Sequence, residues 1–177
     1  MIIVNTTDSL EKTLATVRSA GNKRIGLVPT MGALHAGHVS LVEQSVREND
    51  YTVVSVFVNP TQFNNPVDLE KYPRDLDKDA DLLRISGCDL IFAPSKETIY
   101  TEEELRKPFE FDFGGLDQVM EGKFRPGHFN GVVQIVSKLF SLVKPQRAYF
   151  GEKDFQQLSI IHRMTDLMGF DIQIVDC

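Results

Sequence analysis

Residues 51–58 (YTVVSVFV) form a run in which β-branched and aromatic side chains follow one another almost without a polar break. A strand wetted on one face alternates apolar and polar residues. A run that does not alternate belongs to a strand covered on both faces, as in parallel sheets whose crossover helices shield both sides. Shorter apolar runs accompany it at residues 2–4, 24–28 (RIGLV), 89–93 (DLIFA) and 147–150 (RAYF), and again within 172–177. Helical patterns lie between them. Leu10, Leu14 and Val17 share one face of a helix expected to be capped at Asp8-Ser9 and to end near Gly21. Val39, Val42 and Val46 mark a second helix, and residues 75–86 a third, stopped at Gly87. This alternation predicts an α/β fold, a Rossmann-like parallel sheet with helices on both faces, as one domain over residues 1–177. Ligands should sit at the carboxyl ends of its strands.

Composition removes several function classes. A net charge of −6 argues against a broad nucleic-acid footprint, which needs a basic face. No stretch approaches the ~18 apolar residues of a membrane span, and the N-terminus has no basic, signal-like segment. Cys88 and Cys177 are far apart and suggest no disulfide framework, so a reducing cytoplasm fits.

The strand-end loops hold the candidate chemistry. The strand at 24–28 should stop at Pro29, which has no N–H to give a ladder. Met31-Gly32-Ala33-Leu34-His35-Ala36-Gly37-His38 then leads into the second helix. A glycine loop at a helix N-terminus offers free N–H groups and the positive end of the helix dipole to an anion, and His35 and His38 can add donors beside it. The alternative is a pair of capping histidines with no further role. Zinc ligation is not expected, because His128 and His162 are the remaining histidines and no Cys-x-x-Cys pair exists.

Past residue 58, Asn59-Pro60 and Asn64-Asn65-Pro66 read as turn chemistry, whereas Gln62 beside Phe63 offers a carboxamide to a ligand bearing hydroxyls and a carboxylate. Tyr72-Pro73-Arg74 reads as the start of a helix with Arg74 on the surface. Most of the acidic cluster Asp75, Asp77, Asp79 and Asp81 reads as solvated. Phe109, Phe111 and Phe113 alternate with acidic residues like a half-exposed strand ended by Gly114-Gly115. Residues 122–131 (GKFRPGHFNG), with Lys123, Arg125 and His128, are either an anion loop or a flexible basic connector. Gly151-Glu152-Lys153-Asp154 opens another helix, as a phosphate- and ribose-binding loop or as a plain capped start.

These strings carry a resemblance. PTMGALHAGH is similar to the His-x-Gly-His signature of the nucleotidyltransferases and class I aminoacyl-tRNA synthetases. Its longer form resembles the pantoate–beta-alanine ligase family, as do the Asn-Pro-x-Gln-Phe string at residue 59, the Arg-Pro-Gly-His-Phe-x-Gly-Val string at 125 and the Gly-Glu-Lys-Asp segment at 151. The resemblance implies an AMP-forming ligase that makes pantoyl adenylate from ATP and pantoate and passes the pantoyl group to beta-alanine, with Mg2+ accompanying ATP. It implies ATP contacts at Met31, Gly32, Ala33, Leu34, His35, Ala36, Gly37 and His38 and at Gly151, Glu152, Lys153 and Asp154. Gln62 and Gln157 are then assigned to pantoate, and Gln62 also to beta-alanine. His38, His35 and Lys153 are the implied catalytic residues, with His38 the proton donor, and a homodimer is expected. The last strand pattern runs to Cys177 without a cap. Against the family this reads as a chain without the following Ser-Ser-Arg loop and C-terminal lid domain, so impaired turnover is expected. Another adenylyl- or cytidylyltransferase and a binding-only domain are the alternatives.

Overall fold

The structure, a computed structural model, describes residues 1–107 and 109–177. In chain order its elements are β1 (Ile2–Val4), α1 (Thr7–Ser19), β2 (Ile25–Thr30), α2 (Ala36–Glu48), β3 (Tyr51–Val56), α3 (Pro66–Lys71), α4 (Leu76–Ile85) and β4 (Leu90–Phe92). They continue with α5 (Lys96–Ile99), α6 (Glu102–Arg106), α7 (Met120–Phe124), α8 (His128–Val143), β5 (Arg147–Phe150), α9 (Phe155–Leu167) and β6 (Gln173–Asp176). The strands form one parallel sheet in the order β1-β4-β3-β2-β5-β6.

Side-chain alternation along the strands makes two apolar layers. Leu27, Val53, Leu90, Phe92, Ala148 and Phe150 meet α1, α8 and α9 on one face, while Val28, Val54, Ile91 and Tyr149 meet α2 and α4 on the other. Both faces are therefore covered, as the unbroken run in β3 requires. Each fully buried Leu, Ile or Phe contributes roughly 1.5–3 kcal/mol relative to exposure. From β2 the chain steps through β3 to β4 on one side and reaches β5 and β6 on the other. The order reverses between β2 and β5, and in such sheets ligands bind at the carboxyl ends beside that reversal.

Several local expectations are corrected. Thr6, not Asp8-Ser9, caps α1, its side chain accepting from Ser9 N at 3.2 Å. The strand at 24–28 does not stop at Pro29: β2 runs on to Thr30, with Pro29 opposite Ser55. Proline is tolerated because the odd-numbered N–H positions of β2 face β5, as Ile25 N does towards Gln146, and pairing with β5 ends at Leu27. β3 closes at Val56 and leaves Phe57 and Val58 in the loop.

Residues 109–113 form no strand. Phe109, Phe111 and Phe113 turn onto the core, and side chains satisfy the backbone in place of a ladder: Asn130 Nδ2 donates to Phe109 O and Arg163 Nε to Asp112 O. The basic stretch at 122–131 is neither of the loops expected, since α7 and α8 take up most of it.

Candidate active site

The loop after β2 is held from several directions. His35 is the N-cap of α2, its Nδ1 accepting from Gly37 N at 3.1 Å, while His38 Nδ1 accepts from His35 N at 3.4 Å. An imidazole whose Nδ1 accepts is neutral with its proton on Nε2, so both rings keep an Nε2–H donor. The rings lie 4.1 Å apart, centroid to centroid. Burial, then the His35 ring, draws the His38 pKa below its ordinary value. Asp79 and Asp154 pull it back up, and Lys153 lowers it again. His38 is thus a neutral hydrogen-bond donor at pH 7 rather than a reservoir of an extra proton.

Most loop amides are already engaged. Gly32 N donates to Thr30 Oγ1, Ala33 N and Leu34 N to the Asp79 carboxylate, and His35 N and Gly37 N to the two imidazoles. At the start of α2 this leaves Ala36 N, with the imidazole Nε2–H groups, as donors for an anion. The Leu34 side chain is core, packed among Val28, Val42 and Leu83.

Gln62 ends a 3₁₀ turn over Pro60–Gln62. Fully buried Asn59 anchors this turn: its Nδ2 donates to Gly131 O at 3.0 Å and its Oδ1 accepts from Tyr100 OH at 2.8 Å. Buried His128 donates from Nδ1 to Gln62 O at 3.0 Å. The Gln62 side chain is itself buried, and its Oε1 has no hydrogen-bond partner. A buried acceptor left unpaired in this way is suited to a ligand hydroxyl or amine.

After β5, Glu152–Asp154 form a 3₁₀ turn into α9. Of the two successive glutamines, Gln156 is structural: its Oε1 accepts from Glu121 N and Gly122 N, and its Nε2 donates to Leu116 O and Val119 O. Gln157 faces the other way, into a cavity of about 170 Å³ at the β2/β5 reversal. That cavity joins Met31, His38, Gln62, Asp154 and Gln157 with an apolar wall from Val132, Ile135, Val136 and Leu139. Tyr72, two residues before Arg74, also lines it. Lys153 and His35 are exposed outside the cavity, although Lys153 is close enough to act on His38 electrostatically.

Lys123 and Arg125 stand elsewhere on the surface, Arg125 paired with Glu121. Arg74 is at the surface as expected, donating to Leu69 O at 2.8 Å beside the end of α3.

Sequence reasoning missed Asp79 and the roles of Asn59 and His128. Asp79 carried a readable signal, because it precedes Leu83 by four residues and shares that helix's buried face.

The two shifted histidines make stability pH-dependent. Burial lowers the His128 pKa foremost, against a raising bond from the Gln62 carbonyl. With both folded pKa values below the ordinary 6.5, the unfolded chain binds more protons as pH falls through that value. Stability present at pH 7 is therefore lost on acidification. The thermal midpoint should fall between about pH 7 and pH 5, and His128→Asn, which keeps a donor for the Gln62 carbonyl, should flatten the slope. An identical slope in the variant would contradict this assignment.

A family model described as pantoate-beta-alanine ligase matches residues 2–177. The pantothenate synthetase of Bacteroides fragilis is 60% identical over 177 residues, covering 100% of this chain and 61% of the relative. The crystal structure of pantothenate synthetase from Thermus thermophilus matches with a TM-score of 0.90 at 47% identity, over 100% of this chain and 61% of that one. A pantoate-beta-alanine ligase structure from Francisella tularensis, complexed with beta-gamma ATP and beta-alanine, matches with a TM-score of 0.90 at 40% identity, over 100% and 66%. The chain thus spans about three fifths of the length of the curated relatives it matches.

Proposed function

The chain belongs to the pantoate–beta-alanine ligase family, and from that membership we propose that it serves the ATP-dependent joining of pantoate to beta-alanine. The reaction is that of the full-length family member, and the described residues supply its pantoate cavity and first phosphate site. A carboxylate resists attack by an amine because it has no leaving group. In the first step a pantoate carboxylate oxygen attacks the α-phosphorus of ATP, the bond to the bridging oxygen breaks, and pyrophosphate departs with the electron pair. In the second, the amine of beta-alanine attacks the acyl carbon, the bond to AMP breaks, and the amine's proton passes to solvent.

The observation that carries this reading is the single cavity onto which His38, Gln62, Asp154 and Gln157 converge, and the Gln62 side chain that lines it holds a buried, unpaired Oε1. In the proposed arrangement Gln62 and Gln157 orient pantoate, whose branched carbon chain meets the apolar wall. The neutral Nε2–H groups of His38 and His35, with the first amide of α2, stabilise charge growing on the phosphates. Lys153 adds a mobile positive charge outside the cavity, and Asp154 accepts from the nucleotide's hydroxyls. Among the described residues no group of three or more His, Cys, Asp or Glu could hold a metal, so Mg2+ is assigned to the nucleotide as part of the substrate.

A cytoplasmic homodimer is proposed on the family resemblance. Among the described residues no helix is long and apolar enough to cross a membrane. Sedimentation of the purified chain tests the dimer.

Pyrophosphate release from ATP tests the function. It is expected only when pantoate is present, with pantothenate formed only when beta-alanine is added, and more slowly than in a chain of the relatives' full length. Release indifferent to pantoate would replace this reading by another nucleotidyl transfer, and pantoate binding without product in either chain would replace it by a binding module.

A further inference from the structure

Asp79 differs from its neighbours in α4. Asp75, Asp77 and Asp81 are exposed, whereas Asp79 is 2% exposed. A carboxylate is costly to bury without strong partners, and among the described residues Asp79 makes no ion pair. Its partners are successive amides of the loop after β2, Oδ2 accepting from Ala33 N at 2.9 Å and Oδ1 from Leu34 N at 2.8 Å. Ala33 is in the left-handed region at φ 50°, which a residue with a side chain adopts when its surroundings impose it. Gly32 precedes it at φ 81°, and a Cβ there would stand 2.9 Å from Asp79 Oδ2.

We propose that Asp79 is a positioning residue of the nucleotide site, bracketing Ala33 and Leu34 from α4 and so fixing the turn that aims the His35 and His38 rings at the phosphates. It also withdraws two amides from competition for the anion and leaves the donors at the start of α2 to meet it. Both carboxylate oxygens are needed. Asparagine keeps the shape but offers one acceptor and turns an N–H towards the other amide. The loop half of the inference stands on geometry alone, and the nucleotide half rests on the function proposed above.

The test compares Asp79→Asn with Asp81→Asn, an exposed control on the same helix, using the purified chain. The readouts are the thermal midpoint, hydrogen exchange at the Ala33 and Leu34 amides, NMR titration of His35 and His38, and affinity for a non-hydrolysable ATP analogue. Asp79→Asn should still melt cooperatively, lose protection at one or both amides and move both imidazole signals. It should also lower the His38 pKa, since the Asp79 charge raises it, and weaken the analogue by roughly tenfold or more. Asp81→Asn should do none of these.

Unchanged loop signals in Asp79→Asn would overturn the bracket. Altered loop signals with wild-type affinity would overturn its role in binding. If the wild-type chain binds no analogue while the loop signals respond, the nucleotide reading fails and the bracket stands. Should Asp79→Asn not melt cooperatively, Gly32→Ala presses on the same carboxylate oxygen from the loop side. Wild-type loop signals and affinity in that variant would overturn the proposal.

Discussion

His38→Ala is expected to lower pantoate-dependent pyrophosphate release on the order of 10²–10³-fold with little change in thermal midpoint. The ring is half-buried at the cavity, neutral, and committed at Nδ1 to the His35 amide, so its free function is the Nε2–H. A fixed donor aimed at developing phosphate charge acts mainly on the transition state, so the loss should appear in kcat more than in the KM for pantoate. Stability should hold because the bond that is lost lies at an exposed amide, where water replaces it. His38→Asn, which retains an N–H donor on a shorter side chain, should recover part of the rate. An unchanged rate in the alanine variant would remove His38 from the chemistry.

Gly131→Ala tests how the cavity is supported. Helix propensity alone says that alanine at an exposed interior position of α8 should stabilise by about 1 kcal/mol. The packing says the opposite. A Cβ at Gly131 would lie 2.5 Å from the Thr61 carbonyl carbon and 2.7 Å from Gln62 N, and these are backbone atoms that cannot rotate aside. The Gly131 carbonyl also accepts from Asn59, the residue that anchors the turn. The helix or the turn must move, at a cost of about 2–4 kcal/mol. That corresponds to roughly 5–15 °C in thermal midpoint for a domain of this size. Because the displaced turn carries Gln62, pantoate affinity should fall with it. A stabilised variant with normal pantoate binding would show that α8 does not seat the turn as described.

What the sequence made legible follows from which forces act locally. The parallel sheet could be read because burial on both faces removes alternation from a strand, as in residues 51–56, and because the helices between strands keep a clear apolar face. Pro29 misled because the rule that proline ends a strand depends on whether its nitrogen faces a partner, and that is decided by where β5 stops pairing. The alternation at 109–113 misled because side chains of Asn130 and Arg163, distant in sequence, took the place of a neighbouring strand.

The site was legible as separate loops and not as a cavity. His35 and His38 announce a helix start, and Gln62 stands out beside Phe63, but nothing local brings Gln157 to the same cavity as Gln62 or distinguishes it from Gln156. The resemblance supplied that choice, and the hydrogen bonds of Gln156 give it a physical reason. Asp79 was hidden in a run of acidic residues whose other members do face water.

The most direct measurement is a crystal structure of this chain with pantoate and a non-hydrolysable ATP analogue. Pantoate is expected in the cavity lined by Gln62 and Gln157, one of its hydroxyls donating to Gln62 Oε1, with the polyphosphate within hydrogen-bond distance of His38 Nε2. Pantoate seated elsewhere, with Gln62 Oε1 still unpaired and the phosphates away from the start of α2, would contradict this assignment of the site.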